Sequence, residues 1–376
     1  MKRQRIVVKI GSSSLTTPSG SLSINKLTEH VQALSRLKKQ GHEVILISSG
    51  AVAAGFSALG YPTKPVTIAG KQAAASVGQG LLMQGYIEKF QNEGIIPAQI
   101  LLTRDDFSDR HRFQNAYSTI SELLKRGALP IINENDSTSI EELTFGDNDM
   151  LSALVSGFIH AHTLCILTDV NGLYSANPNL DPTAEKYDHL KEITPELLAM
   201  AGDSGSKVGT GGMKSKILAA ETALSLGVNI FIGKGAGANK LIDIIAGNGD
   251  GTYIGSVQEE AMMPTNKQWI ALHSTSSGSI TVDRGAAFAL QSLGKSLLPA
   301  GVLQIDGIFN RNEVIDVYNE EGLLIGKGKS NVSSGELNQI KGLSSMEAKR
   351  TLHLNKPEVI HRDHWVTITK SSSISN

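Results

Sequence analysis

The sequence predicts an α/β fold in three layers, a mainly parallel central sheet covered by helices, followed by a small, mostly-β module. Three observations carry this. From Ile6 to about Gly255, short apolar runs alternate with longer segments of helical period. The short runs are apolar on both faces, as strands of a parallel sheet buried between helices are. Beyond about residue 266 the rhythm changes to short alternating segments broken by Gly, Asn and Ser. We draw the two domains at 1–258 and 266–368.

Taken in order, IVVKIG opens the first domain. A helix follows in which Ile24, Leu27, Val31, Leu34 and Leu37 recur every three or four residues, with Ser23 placed to cap it and Gly41 to end it. EVILISSG is the second strand, then a helix to about Phe90, IIPAQILLT, a helix to about Lys125, ALPIINEND, a helix from about Asp149 to Ile159, TLCILTDV and NIFIGKG. The module carries QWIALH, GSITVD, GVLQIDGIF, EVIDVYN, LLIGKGKS and WVTIT, with helical stretches near Ala286–Leu293 and Ser333–Ile340.

Composition narrows the function. With 376 residues, 40% hydrophobic and 19% charged, the chain is that of a globular protein. Lys and Arg number 35 against 36 Asp and Glu, so overall charge draws it neither to nucleic acid nor to an anionic membrane. The module holds 12 Lys and Arg against 10 Asp and Glu, without the dense basic stripe and interleaved aromatics of an RNA-binding face. The N-terminus lacks a signal-peptide core, because Lys9 interrupts the apolar run, and no run is long enough to span a membrane. The one cysteine, Cys165, sits inside an apolar run and reads as a buried strand residue of a cytoplasmic protein.

In an open parallel sheet, ligands bind beyond the carboxyl ends of the strands. There the sequence places Lys9 and Gly11; Ser48, Ser49, Gly50 and Ala51; Asn133, Glu134, Asn135 and Asp136; and Thr168 with Asp169. FGDNDML adds Asp147, Asn148 and Asp149 at the mouth of a helix, and GSKVGTGGMKSK brings glycines and lysines to the start of another, through Thr210, Gly211, Gly212, Met213, Lys214, Ser215 and Lys216. Small residues, lysines and carboxylates along one edge suit a nucleotide's phosphates with their divalent cation. The chain has no Walker A sequence and no GxGxxG in the glycine loop, so its phosphate site is of another architecture. His361-Arg362-Asp363 imitates a protein-kinase catalytic loop, but Ile368 stands where its asparagine would be. No nucleophilic triad assembles at the edge either. A carboxylate acceptor is already ionised at neutral pH and needs no general base, so phosphorylation of a carboxylic acid requires only positioning and charge neutralisation.

VVKIGSSSL, ILISSGAVAAG, INENDS, FGDNDMLSALV, LTDVNGLYSANP and GTGGMKSK, in this order and at these intervals, closely resemble the amino acid kinase superfamily, in the branch that phosphorylates glutamate. The segment from WIALHSTSSGSITVDRGAAFAL through VIHRDHWV resembles a PUA domain. The resemblance implies transfer of the γ-phosphoryl group of ATP, with Mg²⁺, to the side-chain carboxylate of L-glutamate. It implies an acyl phosphate that a partner reductase consumes, inhibition by proline as end product, and a homo-oligomer. It assigns Lys9 and Lys216 to the transferring phosphoryl group and Asp149 to their orientation. Ser49, Gly50, Asp136 and Asn148 would hold glutamate, Asp136 pairing with its ammonium and Asn148 donating to its carboxylates. Lys9, Thr168, Asp169 and the loop Thr210, Gly211, Gly212, Met213, Lys214, Ser215 and Lys216 would hold ATP, with no protein side chain assigned to the metal. A kinase of a different acid, an RNA-binding protein and a silent amino-acid sensor remain as alternatives, with retention of both lysines and Asp149 speaking against the sensor.

Overall fold

The computed structural model describes residues 2–17, 19–138, 148–176, 178, 181, 183–200, 212–255, 270, 276–352 and 357–367. These fall into two compact units, one within 1–106 and 111–262, the other within 107–110 and 263–376.

In the first unit, β1 (Arg5–Ile10), β2 (Glu43–Ile47), β3 (Pro97–Leu102), β4 (Leu129–Glu134), β5 (Thr163–Leu167), β8 (His189–Leu190), β9 (Asn229–Gly233) and β10 (Gly251–Ile254) form one sheet in the order β3-β4-β2-β1-β5-β9-β10-β8. Neighbours pair in parallel except β9 and β10, which run antiparallel. The pair β6 (Leu173–Tyr174) and β7 (Lys186–Tyr187) stands apart. The helices are α1 (Ile24–Lys39), α2 (Ala51–Gly55), α3 (Ile68–Gln91), α4 (Asp105–Ser108), α5 (Arg110–Lys125), α6 (Asn148–Phe158), α7 (Pro195–Met200), α8 (Met213–Ser225) and α9 (Lys240–Ile245), of which the second half of α4 and the first residue of α5 belong to the second unit.

The mainly parallel sheet is thus as expected, and α1 buries Leu27, Val31, Leu34 and Leu37 with the Ser23 side chain accepting from the Lys26 amide. Ile24 departs from the expected stripe: in the first helical turn it is 51% exposed. The stretch read as one helix to Phe90 is two, α2 and α3, separated by a segment containing Gly60, Pro62 and Pro65. The next is also divided, at Asp109. The short strands β6–β8, β10 and the helix α7 had no sequence signal strong enough to read.

Two close approaches position the active edge. Helices α2 and α3 cross at Gly55 and Gly78, where a Cβ on Gly78 would lie 1.8 Å from the Ala51 carbonyl oxygen and one on Gly55 would lie 2.1 Å from that of Ala74. This holds the start of α2, with Gly50 at φ 100° as its cap, against the sheet's carboxyl edge. Helix α6 is buried along its length except at Met150, which is half-buried, and packs on α8. Its hydroxyls are satisfied internally, Ser152 donating to the Asp149 carbonyl at 2.6 Å and Ser156 to that of Ser152 at 2.6 Å.

In the second unit, β11 (Ser279–Val282), β12 (Val302–Asp306), β13 (Val314–Tyr318), β14 (Leu324–Ser330) and β15 (Ile360–Thr367) form a sheet in the order β12-β11-β13-β14-β15, with helices α10 (Arg284–Gln291), α11 (Ser334–Ile340) and α12 (Ser345–Leu352). It has its own core, including Ile280, Val317, Leu337 and Trp365. A capping box between Ser333 and Glu336 starts α11. The imitation kinase loop His361–Asp363 lies within β15, and the expected strand QWIALH falls, apart from Ile270, outside the described residues. No helix among the described residues is long and apolar enough to cross a membrane.

The crossing gives a paired prediction on one helix. Gly78→Ala drives a methyl into the Ala51 backbone and should cost about 1–3 kcal/mol or more. Gly80→Ala, whose Cβ meets nothing within 4 Å, should gain about 0.5–1 kcal/mol from helix propensity. Denaturant melts of both variants check this; equal stabilities would contradict the close approach.

Candidate active site

The carboxyl edge is organised by one buried carboxylate. Asp149, in the first turn of α6, is fully buried, with Oδ1 2.6 Å from the Lys9 Nζ and Oδ2 3.0 Å from the Lys216 Nζ. Lys9 comes from β1, at the level of Ile47 in β2 and Ile166 in β5; Lys216 comes from the first turn of α8. Both lysines are themselves buried, at 3% and 8% exposure. The Ser215 hydroxyl adds a 3.2 Å bond to Oδ2. Two ammonium groups against one carboxylate leave this cluster with a net charge of +1 in a poorly solvated place, which an arriving anion stabilises. Gly11 keeps the approach open, since a Cβ there would stand 3.5 Å from the Lys9 Nζ and any longer side chain would cover it.

The neighbouring residue, Asn148, builds a different kind of site. Its Nδ2 lies 2.6 Å from the Ser48 carbonyl oxygen, 2.8 Å from the Asn133 Oδ1 and 2.9 Å from the Ser49 Oγ. The Asn133 Oδ1 also accepts from the Glu134 amide at 2.9 Å, and its Nδ2 donates to the Gln79 Oε1 at 2.9 Å. The Ser48 hydroxyl lies 2.9 Å from the Tyr86 hydroxyl, a bond in which either oxygen can donate, and 3.3 Å from the Ser49 carbonyl. Burial pushes the Tyr86 phenol up, which keeps it protonated. The expectation that Asn148 donates to substrate carboxylates meets a geometric objection, because its nitrogen is drawn by protein acceptors and its oxygen is the atom left over.

Asp136 follows β4 in the same region, and burial pushes its carboxyl up to about 6. Thr168 follows β5, its amide donating to the Gly233 carbonyl at 3.0 Å and its hydroxyl to the exposed Asp169 at 3.1 Å. Gly212 caps α8 in extended conformation, with Met213 half-buried and Lys214 exposed. Asp147, Thr210 and Gly211 lie outside the described residues. The structure therefore brings together Lys9, Asp149, Ser215 and Lys216 as one cluster, and Ser49 with Asn148 as another. Sequence reading passed over Gln79 and Tyr86, which sit inside a helix with nothing to distinguish them from surface and core positions. Among the described residues no three His, Cys, Asp or Glu side chains group as a metal site.

Comparison with known proteins identifies the family. The model of the amino acid kinase family matches residues 4–234, and that of the PUA domain matches residues 278–352. A glutamate 5-kinase of Geobacillus thermodenitrificans (strain NG80-2) is 61% identical over 370 residues, covering 98% of this chain and 99% of that protein. The glutamate 5-kinase of Halalkalibacterium halodurans is 61% identical over 366 residues (97% and 98%), and that of Bacillus cereus (strain G9842) 60% over 368 (98% and 100%).

Removing the shared carboxylate tests the charge cluster. Asp149→Asn leaves two buried ammonium groups without their counter-charge and should cost about 3–5 kcal/mol. Thermal or denaturant unfolding reads this directly; a change below about 1 kcal/mol would mean that the lysines find other partners.

Proposed function

The chain belongs to the amino acid kinase family, in the branch of the glutamate 5-kinases, and from that membership we propose that it transfers the γ-phosphoryl group of ATP to the side-chain carboxylate of L-glutamate. The observation that carries the proposal is the buried Lys9–Asp149–Lys216 cluster, two ammonium groups drawn to one carboxylate. Such a site neutralises a transferring phosphoryl group and does little else.

Glutamate rests on Ser49, Gly50, Asp136 and Asn148, with Asp136 facing its ammonium. ATP rests along Thr168, Asp169 and the segment Thr210, Gly211, Gly212, Met213, Lys214, Ser215 and Lys216. The γ-carboxylate, already ionised, attacks the γ-phosphorus; a new P–O bond forms, the bond from the γ-phosphorus to the bridging oxygen breaks, and its electron pair leaves on ADP. Lys9 and Lys216 hold the charge that develops on the equatorial oxygens, and Asp149 keeps both ammonium groups at their posts. Mg²⁺, carried by the nucleotide phosphates, supplies further neutralisation when bound.

We extend the reading to a cytoplasmic enzyme at the start of proline formation, its acyl phosphate passed to a reductase, its activity lowered by proline, and its catalytic domain, residues 1–258, assembled with copies of itself. The relatives' name supports the pathway.

Trapping with hydroxylamine tests the reaction. Hydroxamate should form from MgATP with L-glutamate and much less with other acids; ADP formation with another acceptor alone would overturn the substrate. Lys216→Ala should lower kcat about 10²–10³-fold while glutamate binding persists. Asp136 adds a pH signature. Below about 6 its carboxyl is protonated and gives up its charge to the ammonium, so KM for glutamate should rise as pH falls through that value, with kcat little affected. Glutamate's own side chain, near 4.3, does not titrate there. Asp136→Asn should give a high KM without this step; a step that survives the substitution belongs to another group.

A further inference from the structure

Two side chains of α3 reach the hydrogen-bond network around Asn148, and we propose that they, Gln79 and Tyr86, are positioning residues that hold the Asn148 amide with its nitrogen inward and its oxygen toward the substrate. This rests on the reading of that network as part of the glutamate site.

The two residues lie seven positions apart, two turns along one face of the helix. Gln79 acts through Asn133: its Oε1 accepts from the Asn133 Nδ2 at 2.9 Å, which fixes that amide's oxygen toward the Asn148 Nδ2 at 2.8 Å. Tyr86 acts through Ser48: its hydroxyl holds the Ser48 hydroxyl at 2.9 Å, on the residue whose carbonyl lies 2.6 Å from the Asn148 Nδ2. Both lines end on one nitrogen.

That nitrogen has two hydrogens and three acceptors, and the inventory decides which contact is surplus. The Ser48 carbonyl oxygen can only accept. The Asn133 Oδ1 is fixed as an acceptor by its own bonds to Glu134 and, through its amide, Gln79. Ser49 Oγ, at 2.9 Å, is the third, and the one of the three that can also donate. Its hydroxyl is therefore free to turn its proton to a substrate carboxylate. The Asn148 Oδ1 has no hydrogen-bond partner among the described residues, so what Asn148 offers a ligand is an acceptor. An acceptor selects a donor, and in an amino acid the donor is the ammonium. Gln79 and Tyr86 would thus support discrimination between an amino acid and the same diacid without its amine.

The test compares steady-state kinetics of the wild-type chain with Tyr86→Phe, Gln79→Leu and Gln79→Glu, using glutamate and glutarate as acceptors and reading ADP and hydroxamate. Gln79→Glu retains the acceptor oxygen; Gln79→Leu does not. We expect Tyr86→Phe and Gln79→Leu to raise KM for glutamate about 3- to 10-fold, as the loss of one neutral hydrogen bond does, with kcat and KM for ATP within about twofold. The preference for glutamate over glutarate, as a ratio of kcat/KM, should fall by a similar factor in both, and Gln79→Glu should restore it. A purely structural role would lower the melting temperature without moving that ratio. An unchanged ratio in Tyr86→Phe and Gln79→Leu, or an equal loss in Gln79→Glu, overturns the proposal. If the wild type forms no hydroxamate from glutamate, the substrate reading fails instead, and the glutarate arm alone reports on that.

Discussion

One fully buried carboxylate shared by two lysines is the constraint on which the site depends. Lys9 stands one residue before the end of the central strand β1, Lys216 in the first turn of α8, and Asp149 in the first turn of α6. These elements are far apart in sequence, and the sheet, with α6 packed on α8, brings them to one point. Burying three charges is costly and is tolerated when each is paired. Two ammonium groups on one carboxylate suit a group that arrives with negative charge in excess. A parallel sheet provides the place for it, because its carboxyl edge gathers loops and helix starts whose backbone amides favour anions.

Consecutive residues at the start of α6 divide the work. Asp149 is held by the charges of Lys9 and Lys216, on the side proposed for the phosphoryl group. Asn148 is held by neutral hydrogen bonds to the Ser48 carbonyl and Asn133, with Ser49 beside them, on the side proposed for the acid. Adjacent helical residues point about 100° apart, so a single helix start sends one side chain into each of the two clusters. The crossing of α2 and α3 at Gly55 and Gly78 fixes the Gly50 turn at the start of α2 against the helix that carries Gln79 and Tyr86.

Much of this was legible in the residues. The strands of the central sheet announce themselves because burial on both faces makes them continuous apolar runs. Their carboxyl ends then name Lys9, Ser49, Asn133, Asp136 and Thr168 without any knowledge of contacts. The cluster of Lys9, Asp149 and Lys216 required both the edge rule and the resemblance, since a lysine after a strand is ordinarily a solvated charge. Other features had no sequence signature. Strands of two residues, such as β8, carry too few positions for a period to show. The break between α2 and α3 was obscured by apolar residues on either side of it. Gln79 and Tyr86 look like an ordinary surface position and an ordinary core position; their importance lies in what they touch on other elements, which periodicity cannot report.

If Lys9 and Lys216 act as one unit on one transferring group, their contributions to turnover cannot be independent. The most direct test is a double-mutant cycle on kcat with Lys9→Met, Lys216→Met and the double variant, under saturating ATP and glutamate. The shared site predicts that the double variant is little slower than the slower single one, as for residues that act together. Losses that multiply would show two lysines working separately and would contradict the shared carboxylate as the organising element.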